Sequence, residues 1–160
     1  MKPDSRPQHS PTAPTAPTST TRTRVRYGET DQMGVVYHAN YFAYFEIGRT
    51  DLIRTFGVSY AELETQGVRL PVVDVTARFL EPARYDDELA IETTLADASF
   101  VRLRFEYRVL RESDRRLLAT GHTVLASVGV DGRPRRLPAA LAAALGAGLR
   151  GREPSAPGAP

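Results

Sequence analysis

An α+β fold, a five-stranded antiparallel sheet with helical cover on one face, follows from three features of the 160-residue sequence. Asn40–Phe56 carries apolar or small residues at Tyr41, Phe45, Gly48, Leu52 and Phe56, the recurrence of a helix buried along one side. Phe100–Leu110 alternates strictly, with Val101, Leu103, Phe105, Tyr107 and Val109 on one face and Arg102, Arg104, Glu106 and Arg108 on the other. Finally, the order strand, long helix, short helix and then four strands matches an antiparallel sheet rather than alternating strand–helix units. A single long helix against a curled sheet leaves its far side for a second copy to cover.

In chain order, residues 1–20 are dominated by Pro, Thr, Ser and Ala and include the tandem P-T-A-P-T-A-P at Pro11–Pro17. Such a segment has little to bury and is predicted to be a disordered tail. The P-T-A-P string, a known type of peptide ligand, reads as a chance match within a biased tract. Thr21–Tyr27 alternates Arg22, Arg24 and Arg26 against Thr23, Val25 and Tyr27, which predicts a strand.

A loop with Gly28, Asp31, Gly34 and His38 leads to the long helix, for which Asn40 suits the N-cap and Gly57 the C-terminal stop. Ser59–Glu62 matches a capping box and Gly67 follows, so a short second helix fits between them. Arg69–Leu80 is a second predicted strand, with Val73, Val75, Ala77 and Phe79 sharing a face opposite Val72, Asp74, Thr76 and Arg78. Pro82 ends it.

Glu88–Ala96, with Leu89, Ile91, Thr93 and Leu95 inward, and Phe100–Leu110 supply two more strands. Arg116–Val130 supplies the last, ended by the Asp131–Gly132 turn. Pro138 suits the first residue of an alanine-rich helix reaching about Leu145. The folded domain is therefore expected at 21–148, with a second disordered tail at 149–160.

Composition bounds the chemistry. Hydrophobic content of 41% fits a globular domain, and the absence of cysteine removes disulfides, thiolate nucleophiles and Cys-type zinc sites. No apolar run approaches the ~18 residues of a membrane span, and no secretory signal is visible, so a cytoplasmic protein is expected. Gly146–Gly151 formally matches G-x-G-x-x-G, but it follows a helix and precedes none. There is no G-x-S-x-G, Walker or H-E-x-x-H string. His38 and His122 are the only histidines outside the first tail, so neither a metal site nor a cofactor is expected.

A net charge of only +2 argues weakly for any polyanion. The strand arginines Arg22, Arg24, Arg26, Arg78, Arg102, Arg104 and Arg108 serve to solvate one sheet face or to grip the phosphates of a nucleotide-bearing ligand. No aromatic residues interleave with them, which counts against nucleic acid as a partner. Taken alone, Asp31 reads as a turn residue, His38 as a structural hydrogen-bonding group, and Glu46 with Arg49 as an intrahelical pair.

The string Tyr27–Gly57 changes those readings. Asp31, Gly34, Val35, Val36, Tyr37, His38, Asn40 and Tyr41 stand in the pattern Asp, two residues, Gly, then Val-Val-Tyr-His before Asn-Tyr. This resembles the hotdog-fold acyl-CoA thioesterases of the 4-hydroxybenzoyl-CoA thioesterase type, and most nearly the branch associated with the Tol-Pal gene cluster. Glu46 and Arg49, Gly57 with Ser59–Tyr60, Pro82–Asp87 and Asp131–Pro134 extend the likeness over roughly residues 25–145.

The resemblance implies a hotdog fold, a five-stranded antiparallel sheet wrapped around a long central helix, assembled as a homodimer or homotetramer. It also implies hydrolysis of an acyl-CoA to a carboxylic acid and free CoA. Asp31 then matches the catalytic carboxylate, acting as nucleophile or general base. His38 matches the position at the helix start whose backbone NH contacts the thioester oxygen, and Tyr27 a neighbouring site residue. Val36 and Tyr37 are expected to bind substrate, with Arg102 and Arg104 the candidates for the CoA phosphates. Alternatives are a hotdog enoyl-CoA hydratase or dehydratase, whose H-F-P-like context is missing, and a noncatalytic acyl-CoA-binding module, which would have no need of Asp31. Glu46 is the reserve carboxylate, since another hotdog subclass places its acid on the helix.

Overall fold

The computed structural model describes residues 16–149. Five strands, β1 (Thr18–Arg24), β2 (Val72–Phe79), β3 (Glu88–Ala98), β4 (Arg102–Arg111) and β5 (Leu117–Ala126), form one sheet in the order β1-β3-β4-β5-β2. Every neighbouring pair is antiparallel. Register shifts at Val72/Asp74, Leu95/Asp97 and Val109/Leu110 break the ladder locally. Such bulges add twist, and here they curl the sheet around the helix α1 (Asn40–Thr55). Two shorter helices, α2 (Tyr60–Thr65) and α3 (Ala139–Leu149), complete the order.

The periodicity of α1 does what its spacing predicts: Tyr41, Tyr44, Phe45, Gly48, Leu52 and Ile53 are buried. Phe45 stacks on Tyr107 with ring centroids 4.3 Å apart and planes 7° apart, joining helix to sheet at the centre of the core. Gly48 lets the helix backbone approach β3, because a Cβ there would collide with Thr93 Oγ1 and lie 2.8 Å from Ile91 Cγ2. Gly57 closes the helix with φ of 77°, and Ser59 accepts the Glu62 NH at the start of α2, both as expected. Leu137, Leu141 and Leu145 bury the inner side of the C-terminal segment.

Four expectations need correction. β1 begins at Thr18, so Thr18, Ser19 and Thr20 belong to the sheet and not to a tail; it ends at Arg24, and Tyr27 opens a 3-10 turn, Tyr27–Glu29. Residues 1–15 and 150–160 lie outside the described residues, and with them nearly all of the two expected tails. Asn40 does not cap α1: the cap position is Ala39, and the Asn40 amide donates instead to the Glu29 carbonyl at 2.8 Å. The apolar face of β2 is not core either. β2 is an edge strand, α1 packs on β1 and β3, and Val73, Val75 and Phe79 stay exposed. Val101, just before β4, is exposed as well.

Candidate active site

The site is built by a tight turn in front of α1. An antiparallel bridge pairs Thr30 with Val36, and inside it the Asp31 NH donates to Val35 O and the Gly34 NH to Asp31 O, both at 2.9 Å. Gly34 has φ of 73°, a conformation glycine adopts without the Cβ penalty of other residues. Asp31 Oδ1 accepts the Met33 NH at 2.9 Å, an Asx-type turn contact. Among the described residues, Oδ2 has no hydrogen-bond partner. The carboxylate is thus oriented by one oxygen and available through the other.

Glu29, which its polar setting in the sequence marks as a surface residue, ties this turn to the helix. Its carbonyl accepts the Tyr37 NH at 2.9 Å and the Asn40 amide at 2.8 Å. Its carboxylate accepts the Arg26 NH, the Arg26 guanidinium and the Tyr44 hydroxyl, each at 2.9 Å. Burial opposes ionisation of Glu29, but these donors together outweigh it and hold the carboxyl below its ordinary value. The stabilisation from a depressed carboxyl is present above the unfolded value and lost as pH falls through the lower folded one. Glu29→Gln is therefore expected to cost about 1–2 kcal/mol at neutral pH, from charged hydrogen bonds weakened to neutral ones. In urea unfolding the gap to the wild type should close below about pH 4.5; a gap that persists or widens there would contradict this.

The first turn of α1 is tightened: the Asn40, Tyr41 and Phe42 NH groups donate to Tyr37, His38 and Ala39 carbonyls. Among the described residues, the NH groups of His38 and Ala39 have no acceptor. They sit at the positive end of the helix dipole, where an oxyanion is best accommodated. Asp31, Val36, His38, Tyr41, Phe79 and Pro82 line a cavity of about 330 Å³. Its walls are largely apolar and aromatic; the His38 and Tyr41 rings stand 6.3 and 5.1 Å from the Phe79 ring. Burial pushes the Tyr41 phenol up, so it stays neutral.

Asp31, His38 and Val36 are therefore brought together as expected, although Val36 is itself buried and contributes a wall more than a contact. Tyr37 is half exposed with its ring 4.4 Å from that of His38, outside the lining. Tyr27 is also outside it: 77% exposed, it packs edge-on against Tyr85 at 5.6 Å. Glu46 lies on the exposed side of α1 and meets Arg49 at 3.7 Å, the bland pairing.

Arg102 and Arg104 are remote within one chain. Phe79 at the cavity is level with Ala119 and Val109, whereas Arg102 pairs with Ala126 at the other end of β4. That separation is roughly 20 Å at about 3.3 Å per residue. Arg104 points to the opposite sheet face, into a polar cleft of about 730 Å³ that also holds Arg78, Glu106, Arg108 and His122. Glu106 pairs with it there at 3.5 Å. Among the described residues no group of three or more His, Cys, Asp or Glu side chains could hold a metal, and no helix is long and apolar enough to cross a membrane.

Comparison with known proteins follows the same outline. Residues 25–145 match the family described as Thioesterase-like superfamily. The acyl-CoA thioester hydrolase YbgC of Escherichia coli is 33% identical over 120 residues, covering 75% of this chain and 90% of that protein. The Bacillus subtilis protein named "Putative acyl-CoA thioesterase YneP" is 41% identical over 85 residues, 53% of this chain and 62% of the relative's length. Among solved structures, the DHNA-CoA thioesterase of Staphylococcus aureus superposes with a TM-score of 0.72 at 36% identity, covering 75% of this chain and 80% of that one. The chain therefore belongs to the Thioesterase-like superfamily of hotdog-fold proteins.

Proposed function

We propose that the protein hydrolyses acyl-CoA thioesters, with Asp31 carrying the chemical step and the His38 and Ala39 NH groups stabilising the oxyanion. The observation behind this reading is one cavity lined both by Asp31, a carboxylate with a free oxygen, and by His38, which with Ala39 carries the NH groups at the helix start that have no acceptor among the described residues. With the thioester oxygen at those donors, attack on the carbonyl carbon moves charge onto an oxygen already faced by NH groups. One such donor is typically worth about 3–4 kcal/mol at the transition state.

Two routes conserve atoms and charge. In one, Asp31 attacks the carbonyl, the C–S bond breaks, CoA leaves as thiolate, and water then opens the mixed anhydride. In the other, Asp31 removes a proton from a water that attacks directly, and the proton passes on to the departing sulfur. Both yield carboxylic acid and free CoA.

The reading includes assembly as a homodimer or homotetramer. The exposed apolar face of β2, with Phe42 and Ile47 exposed on α1, is surface that a second copy would cover. Assembly also gives Arg102 and Arg104 a route to the site, since the basic end of a partner's β4 would have to lie beside Asp31. Arg135 and Arg136 lie near that end, where the Ser127 NH donates to Val101 O, the Arg135 NH to Ser127 O, and the Arg136 guanidinium stands over the Phe100 ring.

A panel of acyl-CoAs assayed by thiol release tests the activity, and the chain has no cysteine to react with the reagent. Turnover of at least one acyl-CoA is expected; no thiol release above the uncatalysed rate across short, long and aromatic acyl groups would contradict it. In the same assay, replacing Arg102 and Arg104 together by Ala should raise KM for acyl-CoA about tenfold or more and spare a small thioester lacking the nucleotide. Equal losses on both substrates would make these arginines structural.

A further inference from the structure

The turn bearing Asp31 does not stand alone. Its Val36 NH donates to Ala83 O at 2.8 Å, so it hangs from the bend Pro82–Asp87 that precedes β3. That bend is not relaxed: Asp86 has φ of 70°, a left-handed conformation costing a non-glycine residue about 1 kcal/mol. Something has to hold it. Arg111, the last residue of β4, does so with all three guanidinium nitrogens. Its Nη2 donates to the Pro82 carbonyl at 2.8 Å, its Nε to Asp87 Oδ2 at 3.1 Å, and its Nη1 to Asp114 Oδ2 at 3.0 Å. Asp87 in turn accepts the Arg84 NH at 2.9 Å through that same Oδ2, and its carbonyl accepts the Val25 NH at 2.9 Å.

The Arg111 and Asp87 side chains are only 18% and 22% exposed, so this contact is less screened than the surface pairs elsewhere on the sheet. A planar fork reaches three acceptors at once, two on the bend and one on the turn between β4 and β5; an ammonium group cannot reproduce that geometry.

We propose that Arg111 is a positioning residue for thioester cleavage: it locks the Pro82–Asp87 bend, whose Ala83 carbonyl fixes Val36 and with it the turn that aims Asp31. The inference rests on the reading of Asp31 as the reactive group. The one hydrogen bond that Arg111 makes to a residue lining the cavity, among the described residues, goes to the Pro82 carbonyl; its charge also acts on the Tyr41 phenol, and its remaining bonds go to the Asp87 and Asp114 carboxylates.

The test pairs turnover with hydrogen exchange in Arg111→Gln and Arg111→Lys. In Arg111→Gln, exchange at the Val36 amide should quicken at least tenfold while amides in the centres of β3 and β4 keep their protection. Per folded molecule, kcat should fall about 10- to 100-fold with KM within about threefold, since a misaimed group loses rate more than binding. Arg111→Lys, which keeps the charge beside Asp87, should fall between. Unchanged Val36 exchange would overturn the proposal, as would wild-type kcat per folded molecule in Arg111→Lys should Arg111→Gln not fold. Faster Val36 exchange with unchanged turnover would keep the clamp as a structural contact and overturn its role in cleavage, whereas failure of the Asp31 reading would show separately as retained turnover in Asp31→Asn.

Discussion

Asp31→Asn is expected to fold and to bind acyl-CoA much as the wild type does, and to lose roughly 100- to 10,000-fold in turnover. The amide keeps the shape and can still accept the Met33 NH through its oxygen, so the Asx contact that orients the side chain survives. What it lacks is the second carboxylate oxygen, a nucleophile and a base. If the route runs through a mixed anhydride the loss should reach or exceed the upper figure, because the amide is no nucleophile and the other carboxylate of the lining, Glu81, is paired with Arg116 at 3.1 Å. His38→Ala is expected to do far less harm, since the alanine retains the backbone NH at the helix start, which has no acceptor among the described residues, and gives up only the ring. Steady-state assays on purified, folded variants decide both. An Asp31→Asn enzyme with more than about a tenth of wild-type turnover would return Asp31 to a turn residue and bring Glu46 forward.

The second large effect is on stability. Gly48→Ala would gain about 1 kcal/mol from helix propensity if the site were open. It is closed: the new methyl would meet Thr93 Oγ1 and Ile91 Cγ2, both buried side chains on a central strand with no room to withdraw. Overpacking of this kind costs typically 1–3 kcal/mol and can exceed it when strand and helix are both fixed. The steric term wins, and a net loss of up to about 2 kcal/mol is expected in urea unfolding, with the helix start and the Asp31 turn unchanged. A stability gain would mean that α1 rides further from β3 than the packing described above.

Much of this arrangement is legible in the sequence because it is local. The buried stripe of α1, the alternation of β4 and the Ser59–Glu62 capping box each express a rule of spacing that neighbouring residues satisfy among themselves, while the Asp31-to-His38 string is read through its resemblance to a known family. What the sequence does not reveal involves partners distant in sequence. Asn40 has the chemistry of a cap, but its amide is taken by the Glu29 carbonyl eleven positions earlier in the chain. Thr18–Thr20 carry no apolar alternation, yet their backbones pair with Thr94, Thr93 and Glu92. The apolar face of β2 looks like core until the strand order places it at the edge, where α1 reaches it through Tyr41 against Phe79 and leaves Val73 and Val75 exposed. Arg102 and Arg104 share a face of the cleanest strand, but only the pairing of β2, β5 and β4 reveals that they stand at its far end from Asp31. Arg111 is invisible for the same reason: nothing in its own stretch says that its three acceptors come from Pro82, Asp87 and Asp114.

The most direct test of the central claim is to mix stoichiometric acyl-CoA with the wild type and with Asp31→Asn and to identify, by mass spectrometry over time, what stays bound. The wild type should release carboxylic acid and free CoA, while Asp31→Asn should hold intact acyl-CoA with the thioester unbroken. Free CoA appearing from both proteins at the same rate would contradict the assignment of the chemical step to Asp31.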